Sequence, residues 1–121
     1  MYIYYQGINY MYQGKWYKAI NSFINYLKLN EYDKEKRSQA MIYIAKSYKY
    51  LNRYEDAKKW LNKAIKEAPF LKEPYIEMAL YYANQEDWHK VIYYCNKAKR
   101  VNEFETIDDL LKLAKKYKKH Y

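Results

Sequence analysis

Two stretches of this 121-residue chain superimpose on a shift of 34 residues. Met41-x-x-Ile44-Ala45-x-x-Tyr48, Ala57-x-x-x-Leu61-x-x-Ala64 and Pro69 are answered by Tyr75-x-x-Met78-Ala79-x-x-Tyr82 and Val91-x-x-x-Cys95-x-x-Ala98. Self-similarity at such a period marks a repeat architecture, in which one supersecondary unit buries its apolar face only by stacking on its neighbours. A third copy lies upstream as Ile3-x-x-Gln6-Gly7-x-x-Tyr10 and Ala19-x-x-x-Phe23, offset by 38 residues instead of 34. The four extra residues fall between Asn30 and Lys36, where charged residues break the apolar rhythm and an exposed connection tolerates insertion cheaply.

Small residues recur for a packing reason. Gly7, Ala45 or Ala79 on a first helix and Ala19, Ala57 or Val91 on a second allow two helix backbones to approach closely. Tyr10, Tyr48 and Tyr82 fill the groove beside each crossing. Gly14-Lys15 turns the first hairpin, which spans helices over 2–13 and 16–29. Asn52-Arg53 turns the second, over 37–51 and 54–67, and Pro69 closes it because proline cannot continue a helix. The third opens at Pro74, a favoured first-turn residue, and turns at 84–87, with Asp87 as N-cap of a helix over 88–101. A last helix places Ile107, Leu110, Leu111, Ala114 and Tyr117 on one face and Lys112, Lys115, Lys116 and Lys119 on the other, after a capping box of Thr106 and Asp109.

This order of small and large residues resembles the tetratricopeptide repeat, a helix-turn-helix unit of pattern W-x-x-L-G-x-x-Y, A-x-x-x-F and a closing proline. The resemblance implies an all-α, right-handed α-solenoid of three hairpins (about 2–36, 37–71 and 72–103) plus a capping helix at about 104–119, all one domain over 1–121. Departures from the pattern are Gln6 for a large apolar residue, Tyr26 where later copies have Ala64 and Ala98, and Glu31 and Glu103 at the proline position. The third repeat, Glu73 to Tyr82 with Asp87-Trp88-His89-Lys90-Val91 and Lys97-Ala98, is similar to repeats appended C-terminally to bacterial family 2 type glycosyltransferases. That similarity implies a scaffold module beside a catalytic domain. The Asp-x-Asp motif such enzymes use for metal and nucleotide is absent, Asp108-Asp109 being the nearest pair, so no transferase chemistry is expected here. Met1 to Tyr5 already read as the interior of a helix without a polar N-cap, which suggests a segment cut from a longer protein.

Composition narrows the classes further. Two glycines leave no room for a glycine-rich phosphate loop, and no apolar run approaches the roughly twenty residues of a membrane span. With a single cysteine, Cys95, no internal disulfide or multi-cysteine metal site can form. A reducing cytoplasm is the expected compartment, and the Tyr, Lys, Asn and Ile bias points to an AT-rich bacterial genome. Cys95 reads as a small apolar packing residue. Serines 22, 38 and 47 lack a nucleophile elbow, and His89 beside Glu86 and Asp87 reads as a capped turn more readily than as a metal site. No cofactor and no metal are expected.

Partner binding remains. The net charge of +9 and the Lys115-Lys116-Tyr117-Lys118-Lys119-His120 tail allow phosphate contacts, but lysines spread over nearly every helix favour solvated charge over nucleic-acid binding. The first helices of successive repeats should line a groove with Tyr5, Ile8, Tyr12, Ile42, Tyr43, Lys46, Tyr50, Glu77, Leu80 and Asn84. Aromatic and apolar lining with Lys46 as polar anchor suits a peptide, a helix or a neighbouring catalytic domain, and sugar rings could stack on its tyrosines. The carboxylate clamp of chaperone-tail binders, built from Lys and Asn, is largely absent. An RNA-binding accessory and an adaptor that forms a homodimer through its uncapped first helix are the competing readings.

Overall fold

The computed structural model describes residues 2–29, 32–101 and 105–118, the last segment with side chains from Asp108 onward. Among the described residues it holds seven helices and no strand. They are α1 (Tyr2–Tyr12), α2 (Trp16–Lys28), α3 (Lys34–Tyr50), α4 (Tyr54–Glu67), α5 (Glu73–Asn84), α6 (Trp88–Val101) and α7 (Glu105–Lys118). The chain divides into two compact units, Met1–Ala68 with α1 to α4 and Pro69–Tyr121 with α5 to α7. In the first unit α1 pairs with α2, α2 with α3 and α3 with α4; in the second α5 pairs with α6 and α6 with α7.

The three hairpin turns are the same turn. Gly14, Asn52 and Glu86 occupy equivalent positions and all adopt the left-handed conformation, at φ of 71°, 61° and 58°. The residue itself donates to a carbonyl three back (Gly14 to Met11, Asn52 to Lys49, Glu86 to Ala83) at 2.9–3.0 Å. The next residue donates five back (Lys15 to Tyr10, Arg53 to Tyr48, Asp87 to Tyr82) at 2.9–3.0 Å. This pair of bonds is the Schellman motif, which satisfies carbonyls that a helix end would leave bare. Glycine fits the left-handed well without strain and asparagine nearly so, whereas Glu86 holds it at a cost of about 1 kcal/mol.

The insertion between the first two repeats is not all connection. The apolar pattern starts the third helix at Arg37, but α3 begins at Lys34, because the Asp33 carboxylate accepts the Lys36 N–H at 3.0 Å and caps a further turn. As a result α3 has 17 residues against 11 in α1 and 12 in α5. The Arg37 guanidinium anchors that added turn by donating to Glu67 Oε1 and to the Leu27 carbonyl, each at 2.9 Å. Buried Ser38 donates to the Ala64 carbonyl at 3.0 Å, so the turn is tied to α2 and α4 alike.

Core positions follow the register with a compensation in size. Ala19, Ala57 and Val91 are buried at the three crossings, as are Gly7, Ala45 and Ala79 on the facing helices. One turn along the second helix, the equivalent residues are Phe23, Leu61 and Cys95, all buried. Where the first helix carries glycine the second carries its largest residue, and where it carries alanine the second carries Leu or Cys. Contact geometry gives the reason for the first pair: a Cβ on Gly7 would lie 2.8–2.9 Å from the Phe23 ring. That ring cannot easily retreat, since Tyr4 meets it edge-on at 5.7 Å and Tyr43 stacks on it at 5.3 Å. Tyr26, the departure from alanine, packs with Tyr4 at 5.2 Å, so aromatic bulk fills the first hairpin throughout.

The capping face of α7 buries Leu111 and Ala114 against the second unit, with Leu110 half-buried and Lys112, Lys115 and Lys116 exposed. Tyr117 is more exposed than an inward position requires, although its ring stacks on Trp88 at 5.5 Å. Lys99 on α6 binds Asp108 on α7 at 2.6 Å. The capping box of Thr106 and Asp109, the inward Ile107 and the outward Lys119 rest on side chains outside those described.

Candidate functional site

A depression of about 290 Å³ lies in the first unit, between the first hairpin and α3. Ile8, Met11 and Tyr12 come from α1, Trp16 opens α2, and Tyr43, Lys46 and Tyr50 come from α3. Tyr43, Lys46 and Tyr50 are spaced three and four residues apart, so one stripe of α3 presents all three. Trp16 sits where the Gly14 turn releases the chain into α2, and its indole stacks on Tyr50 with centroids 4.4 Å apart and planes 8° from parallel. That pair makes a rigid aromatic wall. Tyr43 adds a further ring to the lining and stacks on Phe23 at 5.3 Å.

Lys46 brings an ammonium into an otherwise aromatic and aliphatic lining. Cations also sit over the repeat tyrosines nearby, Lys18 at 5.9 Å from the Tyr10 ring and Arg53 at 5.3 Å from Tyr48. Lys18 corresponds in register to Asp56, and there Arg53 supplies the cation while Asp56 holds it at 2.7 Å. A hydrogen bond with Tyr17 and then the charge of Asp56 raise the Arg53 pKa, keeping it firmly charged.

Of the ten residues expected to line a groove, Ile8, Tyr12, Tyr43, Lys46 and Tyr50 meet in this depression. Tyr5 lies elsewhere on α1, with its ring 53% exposed and the Lys36 ammonium 5.5 Å away. Ile42 needs correction: it is 2% exposed and packs with Met41, Ala64, Leu27 and Trp60. At 100° per residue it sits a quarter-turn round from Tyr43, on the core side of the stripe. Glu77, Leu80 and Asn84 belong to the second unit, Glu77 half-buried and the other two exposed. Met11 and Trp16 were absent from the expected set. Trp16 was open to discovery, since Trp88 recurs at the equivalent helix start.

Asn84 lines a second depression, of about 510 Å³, with Ala83, Gln85, Glu86, Trp88 and Tyr117. Trp88 stacks on Tyr117 with planes 20° apart, and its indole N–H is buried without an acceptor. Burial pushes the Cys95 thiol up to about 11, which disfavours the reactive thiolate. Among the described residues no cluster of His, Cys, Asp or Glu could hold a metal, and no helix is long and apolar enough to cross a membrane.

Identical left-handed turns, small residues at every crossing and stacked hairpins define an all-α protein of helical-hairpin repeats. Among solved structures the chain is similar to one in the crystal structure of the APC/C hetero-tetramer Cut9-Hcn1, with a TM-score of 0.80 at 20% identity over 93% of its length. It spans 22% of that chain. The likeness supports the tetratricopeptide-repeat fold. No family model and no curated protein matches the sequence.

Proposed function

We propose that this chain is a non-catalytic interaction scaffold whose aromatic depression between the first hairpin and α3 holds an apolar side chain of a protein or peptide segment. The observation that supports it is the stacked pair of Trp16 and Tyr50 in one lining with Ile8, Met11, Tyr43 and Lys46. Rings already stacked lose little freedom when a guest arrives, so contact area converts efficiently into affinity. Lys46 orients the guest by taking a carboxylate or backbone carbonyl. The neighbour of known structure works within a hetero-tetramer, which is in keeping with a scaffold role. What supports a setting beside a bacterial glycosyltransferase is the sequence pattern from Glu73 to Ala98, and what supports the cytoplasm is the single cysteine, Cys95.

An array of peptides in which a bulky apolar residue precedes an acidic one tests this reading. Binding to the full chain is expected, weakened at least tenfold by Ile8→Lys and by Tyr50→Ala with helix content unchanged. Peptides that bind both variants as tightly as the parent would exclude the depression as the site.

A further inference from the structure

The outer face of α1 repeats the two tyrosines by which α3 stacks on the hairpin before it. One stripe of α3 carries Ala40, Tyr43, Ile44, Ser47 and Tyr50; Ala40 and Ile44 are buried in one cluster with Ala19, Ile20 and Phe23 of α2, Ser47 is buried, Tyr43 stacks on Phe23, and Tyr50 stacks on Trp16. Moved back by the 38-residue offset, they become Tyr2, Tyr5, Gln6, Asn9 and Tyr12. The two tyrosines that stack on α2 thus recur as Tyr5 and Tyr12. On α1 they are open, with Tyr2, Tyr5 and Tyr12 exposed by 76%, 53% and 87%.

The helix brings no charge of its own to this face, where the Lys36 ammonium of α3 lies 5.5 Å from the Tyr5 ring. The 11 residues of α1 include no acidic or basic side chain, in a chain whose net charge is +9. Tyr2, Tyr5, Asn9 and Tyr12 are spaced three, four and three apart, the stripe that packs along a partner helix. The opposite end of the sequence shows the contrast, because α7 turns Lys112, Lys115 and Lys116 outward.

We infer that this face is an interface for a helical hairpin carrying α2's own docking residues: an aromatic side chain in the first turn to stack on Tyr12, and a second aromatic seven residues later to lie against Tyr5. The model for the occupant is the interface inside the first unit, where Trp16 and Phe23 play those parts. A two-fold pairing of α1 with α1 fits less well. A helix of this length is only about 16 Å long, and one such stripe per copy falls short of the roughly 1,200 Å² that specific interfaces bury.

The test duplicates residues 1–38 upstream of Met1 in the full chain, which puts a second Trp16 and Phe23 at the spacing from Tyr12 and Tyr5 that the first pair keeps from Tyr50 and Tyr43. The tandem protein is expected to show a higher urea midpoint than the parent, with about tenfold slower hydrogen exchange of the original α1 amides. Tyr2→Lys with Tyr5→Lys at the junction should abolish both gains, yet leave the midpoint of the unduplicated chain nearly unchanged. No gain in midpoint or exchange, or gains that survive the lysines, would overturn the inference. So would sedimentation of the parent chain as a dimer that those lysines dissociate, since the face would then belong to a second copy.

Discussion

The two depressions are built on one plan and lined for different company. In each, the first residue of the hairpin's second helix is a tryptophan that stacks on a tyrosine from the helix that follows: Trp16 on Tyr50, Trp88 on Tyr117. In each, the end of the hairpin's first helix supplies the neighbouring wall. That wall is Ile8, Met11 and Tyr12 in the first unit and Ala83, Asn84, Gln85 and Glu86 in the second. The backbone plan is fixed by turns and small residues, so exposed side chains can vary without cost to it. The cores differ in parallel at the crossings: Phe23 in the first unit lies among large rings, whereas Cys95, its counterpart in the second, is buried with Met78 and Val91, although Tyr75, Tyr81 and Tyr82 are buried there as well.

Truncating the equivalent core residues should break this comparison most sharply. Phe23→Ala removes a fully buried ring that touches Tyr4 and Tyr43, and is expected to cost about 3–5 kcal/mol. Cys95→Ala, at the same register position, removes one sulfur atom and should cost about 1 kcal/mol. Similar losses in urea unfolding would mean that the two cores are not packed as described. Next in size, Ala57→Leu and Ala79→Leu force bulk into helix crossings where both alanines are buried, and should each cost about 1–3 kcal/mol. Unchanged midpoints would place the crossings elsewhere.

Turn substitutions sharpen the comparison at smaller scale. Glu86→Gly relieves a left-handed residue and should stabilise by up to about 1 kcal/mol, while Gly14→Ala, at the same place in the first hairpin, should destabilise by about as much. Opposite signs in thermal melts are the expected result. Finally, Cys95 should resist an aromatic disulfide reagent in the native state at neutral pH and react promptly in urea, because burial both raises its pKa and blocks access.

Most of the hairpin framework was legible because its cause is local and periodic. Gly7, Ala45 and Ala79 recur with Ala19, Ala57 and Val91 wherever two helices cross, and no other element type explains that spacing. The added turn of α3 escaped the apolar pattern since Lys34 to Lys36 carry no core residue; its signal was the Asp33 cap, a polar cue. Ile42 was misplaced for a finer reason: groove and core positions on α3 differ by a fraction of a turn, and periodicity does not resolve which side of the stripe is covered. The compensation between Gly7 and Phe23 was invisible for a third reason, because it depends on a distance between two helices.

That compensation is the most direct measure of the whole account, in which side-chain sizes kept in register set the hairpins and thereby the aromatic depression. The decisive measurement is a double-mutant cycle in urea with Gly7→Ala, Phe23→Leu and both together. Gly7→Ala alone should destabilise by about 1–3 kcal/mol despite alanine's better helix propensity. Combined with Phe23→Leu, which recreates the Ala45 and Leu61 pair of the next repeat, its added cost should fall to near zero or change sign, a coupling of about 1 kcal/mol or more. Strictly additive losses would contradict the claim that these two residues are sized for each other.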